Sequence, residues 1–353
     1  MDRYIGLDVH AISCTMAIVG PSGRKLGSHV LETHGKVLID AIKRIPRPRH
    51  LCMEEGTQSA WLYEVLSPHV DELVVHQPAI SRGQKNDLED AFGLANDLRL
   101  GTLDTQVFKA PTRYTRLRQL VRTHSMLVRD STRTQLRLKA MFRERGLRTP
   151  GGAVYTKKHR DRFRALLPPP SRDTSDLLFQ QFDAVSRIKL DAEAMIIKEL
   201  DRHPISPVLQ TCPAIGPVRT ARLMATVVTP HRFRTARQFW SYSGLGIVMR
   251  TSSDWSRTDG EWARAKVSKT RGLNPCHNRV LKDVFKGAAQ MVASQMTDEP
   301  WYADYHRMLE SGIKPNLAKL TLARKISATL LAMWKHEEAY SPDKYRSAPA
   351  AAD

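Results

Sequence analysis

Four acidic residues stand where a chain could hold a divalent metal ion. Asp8 closes an apolar run in Ile5-Gly6-Leu7-Asp8-Val9-His10, and Glu54 closes another in Leu51-Cys52-Met53-Glu54-Glu55. Asp87 and Asp90 lie three apart in Lys85-Asn86-Asp87-Leu88-Glu89-Asp90, a spacing that puts both on one face of a helix. Carboxylates gathered in one place repel one another unless a cation sits among them, and oxygen donors of this kind suit Mg²⁺ or Mn²⁺. Two such ions about 3.5–4 Å apart activate a nucleophile and steady the leaving oxygen of a phosphodiester. Taken singly, each acid also fits an ordinary place: Asp8 in a turn, Glu54 on the surface, Asp87 and Asp90 as first-turn charges favoured by the helix dipole. The set, in this order, is what points to metal. Glu55 competes with Glu54; the preference for Glu54 rests on its directly following the apolar residues.

The elements that would position these acids can be read from pattern. Tyr4–Val9 predicts a strand, and Thr15–Val19, the turn Pro21-Ser22-Gly23-Arg24 and Leu26–Leu31 predict a hairpin. A helix over Val37–Ile45, a strand over Leu51–Glu54, a helix from Ala60 to Leu66, a strand over Leu73–His76 and a helix over Asp87–Leu98 follow. That order is the order of a ribonuclease-H-like (RuvC-like) α/β domain, in which the first and fourth strands end side by side under the last helix. Residues 112–148 and 174–202 predict two long helices, an antiparallel pair or an intermolecular coiled coil, broken by Pro150-Gly151-Gly152 and Pro168-Pro169-Pro170. Residues 205–340 read as mainly helical, with Cys212-Pro213-Ala214-Ile215-Gly216-Pro217-Val218 as a turn of helix-hairpin-helix type. The expected fold is therefore α/β plus α. It divides into a domain over 1–110, a basic helical or coiled-coil region over 111–203, a mostly helical domain over 204–340 and a disordered tail over 341–353.

Charge narrows the partners. The 353 residues carry 55 Lys/Arg against 36 Asp/Glu, a net +19, while 41% hydrophobic residues suffice for buried cores. Between Arg113 and Arg164 there are sixteen Lys/Arg and three acids. Arg118, Arg122, Arg129, Arg133 and Arg137 fall on one helix face, with Leu117, Leu120, Val121, Leu127, Val128, Leu136, Leu138 and Met141 expected to pack. A face so one-sided suits a phosphate backbone. The four cysteines are scattered without a CxxC pair, which argues for a reducing cytoplasm, and no apolar run is long enough for a membrane span.

The segments YIGLDVH, CMEEGTQSAWL and KNDLEDAFGLA resemble the motifs of the DEDD transposases of the insertion-sequence "IS one-ten" family, the bridge-RNA-guided recombinases. CPAIGPVRTARLMATV and FRTARQFWSYSGLG resemble that family's C-terminal transposase domain, so the likeness runs along nearly the whole chain. It implies that Asp8, Glu54, Asp87 and Asp90 bind Mg²⁺ or Mn²⁺. It also implies that a serine shortly after Tyr242-Ser243-Gly244-Leu245 attacks DNA to form a covalent serine–DNA link. Counting from Gly244-Leu245 puts that nucleophile at Ser252, with Ser253 next to it; the Ser-Gly pair often found in the family is Ser-Ser-Asp-Trp here. The same resemblance implies DNA donor and target sites chosen by a structured guide RNA, and a dimer-to-tetramer assembly in which one subunit's serine completes another's carboxylate site. Arg257, Arg264, Lys266, Lys269 and Arg271 follow the serine and suit a nucleic-acid backbone, and Trp255 and Trp262 suit base stacking, whereas Trp240 suits a core and His277 a cap or packing place. With every carboxylate of the set present, an active enzyme is expected. A hydrolytic junction nuclease of resolvase type, needing no serine, and a non-catalytic nucleic-acid binder are the competing expectations.

Overall fold

A computed structural model describes residues 1–77, 86–103, 106–109, 112–249, 255–264 and 270–343, and the chain divides into two compact units, Met1–Arg113 and Tyr114–Asp353.

The first unit is a five-stranded mixed sheet covered by helices on both faces. Its elements are β1 (Arg3–Val9), β2 (Ser13–Val19), β3 (Lys25–Glu32), α1 (Gly35–Lys43), β4 (Arg49–Glu54), α2 (Ser59–Leu66), β5 (Glu72–His76) and α3 (Asp87–Leu100). The strand order is β3-β2-β1-β4-β5, antiparallel from β3 to β1 and parallel from β1 to β5. The β2–β3 hairpin turns where the sequence predicts, with Gly23 at φ 82°, a region that favours glycine.

Alternation along β1 and β4 sorts the side chains. Ile5, Leu7, Leu51 and Met53 point to one face and bury against Leu38, Ile42, Leu62 and Leu66 of α1 and α2. Gly6, Asp8, Cys52 and Glu54 take the other face, where α3 packs across β1, β2 and β4. Gly6 permits that packing. A Cβ there would overlap the carbonyl oxygen of Ala91 and come within 2.7 Å of the Ala95 nitrogen, both in the body of α3. Ala91, Leu94 and Ala95 are the buried residues of that helix, so small side chains meet a strand with none.

The second unit is mainly helical. α4 (Thr115–Glu144) and α6 (Pro169–Leu200) flank the short α5 (Lys157–Ala165). α4 and α6 pack antiparallel within the chain: Arg116 reaches Glu199 at 3.0 Å and His124 reaches Glu193 at 3.0 Å, while Leu138 and Phe142 cluster with Phe179. Two expectations change here. α6 starts inside the proline run taken as a break, because prolines in the first turn lack only an N–H that has no helical partner. The buried stripe of α4 is Leu117, Val121, His124, Ser131, Thr134, Leu138 and Phe142, whereas Val128 and Leu136 are exposed. Thr134 turns its hydroxyl to the Asp130 carbonyl at 3.0 Å and His124 its Nε2 to Glu193 at 3.0 Å, so these polar atoms find partners within the seam.

Beyond α7 (Ile205–Gln210), α8 (Pro217–Val227) and α9 (Ala236–Tyr242), the described residues among 247–273 include short strands where a mainly helical stretch is expected. They form two small antiparallel pairs, β6 (Ile247–Met249) with β9 (Thr270–Leu273) and β7 (Trp255–Thr258) with β8 (Glu261–Arg264). The α7–α8 turn has Ala214 at φ 62°, and Cys212 to Ile215 are buried within it. α10 (Arg279–Gln295), α11 (Pro300–Glu310) and α12 (Pro315–His336) complete the unit. Among the described residues no helix is long and apolar enough to cross a membrane.

If α3 is seated by the missing side chain, Gly6→Ala destabilises the first unit by about 1–3 kcal/mol, the range for overpacking. Gly27→Ala, on β3 with open space at its Cβ, serves as the control and changes little. Denaturant melts of the two variants compare them; equal stability would contradict the close seating.

Candidate functional site

Asp8 is the penultimate residue of β1 and its side chain is largely buried. Asp87 is the first residue of α3 and more than half exposed. Asn86 caps that helix, its Oδ1 accepting from the Leu88 N–H at 3.1 Å, which fixes where Asp87 begins. Because α3 lies on the Gly6 face of the sheet, its first turn arrives over Asp8, 79 residues away in sequence.

A third side chain joins them. His10 Nε2 lies 3.2 Å from Asp8 Oδ2 and 3.4 Å from Asp87 Oδ2. Among the described residues Asp8, His10 and Asp87 make one group whose ligand atoms all lie within 4.8 Å of one another. Burial pushes the Asp8 carboxyl above the usual carboxylate range; His10 opposes this, and the negative charges of Asp87 and Asp90 add to it. Asp90 is therefore close enough for its charge to be felt, although it is outside the three-residue group.

Glu54 stands apart. It ends β4 on the same sheet face as Asp8, one step beyond the Leu7–Met53 pair, but its Oε1 is placed 3.7 Å from His76 Nε2 instead of in the Asp8 group. Glu55 is tied elsewhere: Lys109 Nζ pairs with its carboxylate, and the Ser59 hydroxyl donates to it at 2.9 Å. Two oxygen donors and one nitrogen, with the Asp90 charge felt beside them, form a donor set that a divalent cation fits. Sequence reasoning quoted His10 but gave it no role. The available signal was its spacing, since residues i and i+2 of a strand end share a face.

Arg118, Arg122, Arg129, Arg133 and Arg137 are all exposed along α4. Arg133 is 3.5 Å from Asp130, whereas the other four have no acid at ion-pair distance among the described residues. Ser252, Ser253, Lys266 and Lys269 lie outside the described residues. Of their neighbours, Trp255 is 56% and Trp262 67% exposed, opposite Arg264 and Arg257 in the β7–β8 register. Trp240 is half-buried and donates to the Arg324 carbonyl at 3.1 Å. His277 packs on Gly244, which has φ 68°, and its Nδ1 lies 2.6 Å from the Asn274 carbonyl oxygen.

Comparison with known proteins bears on both units. Residues 5–145 match the transposase family of the DEDD type from IS110, a stretch that contains Asp8, Glu54, Asp87 and Asp90. Residues 206–307 match the transposase IS116/IS110/IS902 family. The "Insertion element IS110 uncharacterized 43.6 kDa protein" of Streptomyces coelicolor is 32% identical over 168 residues, which are 46% of this chain and 38% of that protein. The chain thus spans well under half the length of the curated relative it matches. Two matches to one insertion-sequence group, one at each end and in the same order as the motifs, show that this chain belongs to the IS110 family of DEDD transposases.

Proposed function

We propose that the chain is a DNA transposase that cuts and rejoins strands through a covalent serine–DNA link at a divalent-metal site. The observation that carries this is the meeting of Asp8 and Asp87, from a strand end and a helix start, around one point. The strand order and the placement of α3 support reading the first unit as ribonuclease-H-like, of the RuvC type. Residues 1–110 are then the carboxylate domain, 111–203 a basic helical region, 204–340 the domain that carries the serine, and 341–353 a tail.

In this reading Asp8, Asp87, Asp90 and Glu54 hold Mg²⁺ or Mn²⁺. Glu54 is preferred to Glu55 because Glu55 already serves Lys109 and Ser59. When bound, such ions lower the pKa of an attacking hydroxyl and neutralise charge on the phosphate and leaving oxygen. Asp8 is the residue whose position is most constrained, so it orients the site. Glu54 reaches it only by leaving His76, a side-chain movement about its own strand end. Ser252, or Ser253 beside it, supplies the nucleophile. Its oxygen bonds to phosphorus, one phosphorus–oxygen bond to a deoxyribose breaks, the serine proton departs and the leaving sugar oxygen takes up a proton. Attack by a second sugar hydroxyl reverses these changes and restores the serine, so the phosphoester bond is conserved without an outside energy source.

The Arg118–Arg137 stripe, with Lys266 and Lys269, would follow the phosphates of DNA and of a structured guide RNA, in a homo-oligomer from dimer to tetramer working in the cytoplasm. Two observations support a nucleic-acid partner here: the stripe is exposed, and four of its five guanidiniums have no acid at ion-pair distance among the described residues.

Incubated with DNA carrying the element's ends, Mg²⁺ and co-purified RNA, the protein should give a denaturant-resistant protein–DNA adduct. Ser252→Ala should abolish it; loss in Ser253→Ala alone would move the nucleophile by one residue. Strand cleavage with no adduct would instead favour the hydrolytic nuclease. Asp8→Ala should abolish both cleavage and adduct while the variant still binds RNA, and normal recombination by Asp8→Ala would refute the metal site. Sequencing the RNA that co-purifies tests guidance: one discrete species is expected, and bulk cellular RNA displaced by moderate salt would count against it. Arg129→Ala and Arg133→Ala should each weaken nucleic-acid binding across all sequences and reduce the slope of log affinity against log salt by about 1.

A further inference from the structure

His10 is placed with more care than a surface histidine needs. Its N–H donates to the Ser13 carbonyl at 3.0 Å and its carbonyl accepts from the Thr33 hydroxyl at 2.9 Å, so the backbone just past the end of β1 is held from the start of β2 and from the residue after β3. Its side chain is 52% exposed and is absent from the apolar core of the first unit. What the side chain meets is carboxylate: Asp8 at 3.2 Å and Asp87 at 3.4 Å, both from the same Nε2. A single ring nitrogen has one proton or one lone pair to offer, and it cannot make two good hydrogen bonds at once.

The spacing suits another role. In an octahedral site with metal–ligand bonds of about 2.1 Å, neighbouring ligand atoms lie about 3.0 Å apart. The two His10 separations, 3.2 and 3.4 Å, are within a few tenths of an ångström of that edge. Three donors from β1, from the residue just beyond it and from α3 thus supply two edges of a coordination shell that meet at His10, with all three ligand atoms within 4.8 Å of one another.

We infer that His10 is a metal ligand, giving one ion of the site a nitrogen donor beside Asp8 and Asp87. The inference rests on the carboxylate reading above and adds to it a metal preference. Imidazole favours later first-row ions, whereas Mg²⁺ gains little from exchanging water or carboxylate for nitrogen. The site should therefore bind Mn²⁺ or Co²⁺ ahead of Mg²⁺, and His10 should account for the difference.

The test uses the full chain without DNA, so that no turnover is involved. Mn²⁺ is titrated into wild type, His10→Ala, His76→Gln and Asp8→Asn, and bound Mn²⁺ is examined by pulsed electron paramagnetic resonance for nitrogen coupling. Wild type and His76→Gln should both show the nitrogen signal. His10→Ala should lose it, bind Mn²⁺ about tenfold more weakly, and lose much less affinity for Mg²⁺ measured by competition. Because the side chain is half exposed, His10→Ala should melt with the wild type in EDTA, which separates ligand loss from unfolding. Mn²⁺ bound to wild type with no nitrogen signal, or a signal that persists in His10→Ala and vanishes in His76→Gln, would overturn the inference. In that case weakened binding by Asp8→Asn would leave the carboxylate site standing. Wild type that binds no Mn²⁺ would overturn both.

Discussion

The approach of α3 to β1 at Gly6 is the constraint on which the site depends. A helix backbone touching a strand backbone is possible only where the strand offers no Cβ, and Gly6 meets Ala91 and Ala95 across that contact. Ordinary helix–sheet packing would hold the helix several ångströms further off. The first turn of α3 would then lift away from the end of β1, taking Asp87 and Asp90 out of reach of Asp8. The residue that makes the site possible is thus two positions before its first acid, on the same face of the same strand, and has no chemistry of its own. The apolar side chains on the opposite face bury against α1 and α2 and fix the strands between which the acids emerge.

Assembling acids in this way costs stability. Burial raises the Asp8 carboxyl and the charges of Asp87 and Asp90 raise it further, so the ionised form is less favourable in the folded chain than in the unfolded one. The sign follows: that group favours folding most below the ordinary carboxylate range, and the benefit is lost as pH rises through its elevated value. At neutral pH the folded site therefore carries strain that a cation among the carboxylates would relieve. Natural proteins tolerate such local conflict where it serves a function, which is why strand-end acids facing a helix start are more informative than acids scattered over a surface.

How much of this was legible in sequence depends on how local each signal was. The strands of the first unit, their hairpin and the order of helices follow from alternation and a turn with Gly23, all short-range patterns. Asp8, Glu54, Asp87 and Asp90 were legible as candidates from the ends of apolar runs and a three-residue helical spacing, and of these the structure gathers Asp8 and Asp87. His10 was not, because its meaning comes from Asp87 on a helix far along the chain. Glu54 is preferred over Glu55 in sequence by its place right after the apolar run; the contacts of Glu55 with Lys109 and Ser59, remote in sequence, are compatible with that preference. The seam of α4 was misread for a related reason: Leu136 is more apolar than Thr134, yet the helix phase is set by Leu117, Val121, Leu138 and Phe142 together, and a threonine that bonds its own helix can sit among them. The strands between Ile247 and Leu273 were missed because each is only three or four residues long, too short for alternation to declare itself.

The basic region shows why counting charge overstates what is available to a ligand. Of the arginines between 113 and 164, several are spent inside the unit. Arg160 forms a two-pronged pair with Asp183 at 2.6 and 2.7 Å, Arg164 does the same with Asp176 at 2.6 Å, and Arg116 reaches buried Glu199. These guanidiniums hold α4, α5 and α6 in place and have little left to give a phosphate. Among the described residues Arg118, Arg122, Arg129 and Arg137 have no such acid, and Arg133 has one only at 3.5 Å. The free stripe runs over about 28 Å of helix at 1.5 Å per residue, a length comparable to one turn of a duplex. Five contacts of that kind set a ceiling of about 4–5 on the salt slope α4 alone can supply, by counterion release. A steeper dependence in the whole protein would have to draw on other basic residues, among which Lys139, Arg143, Arg145 and Arg148 stand next in the sequence.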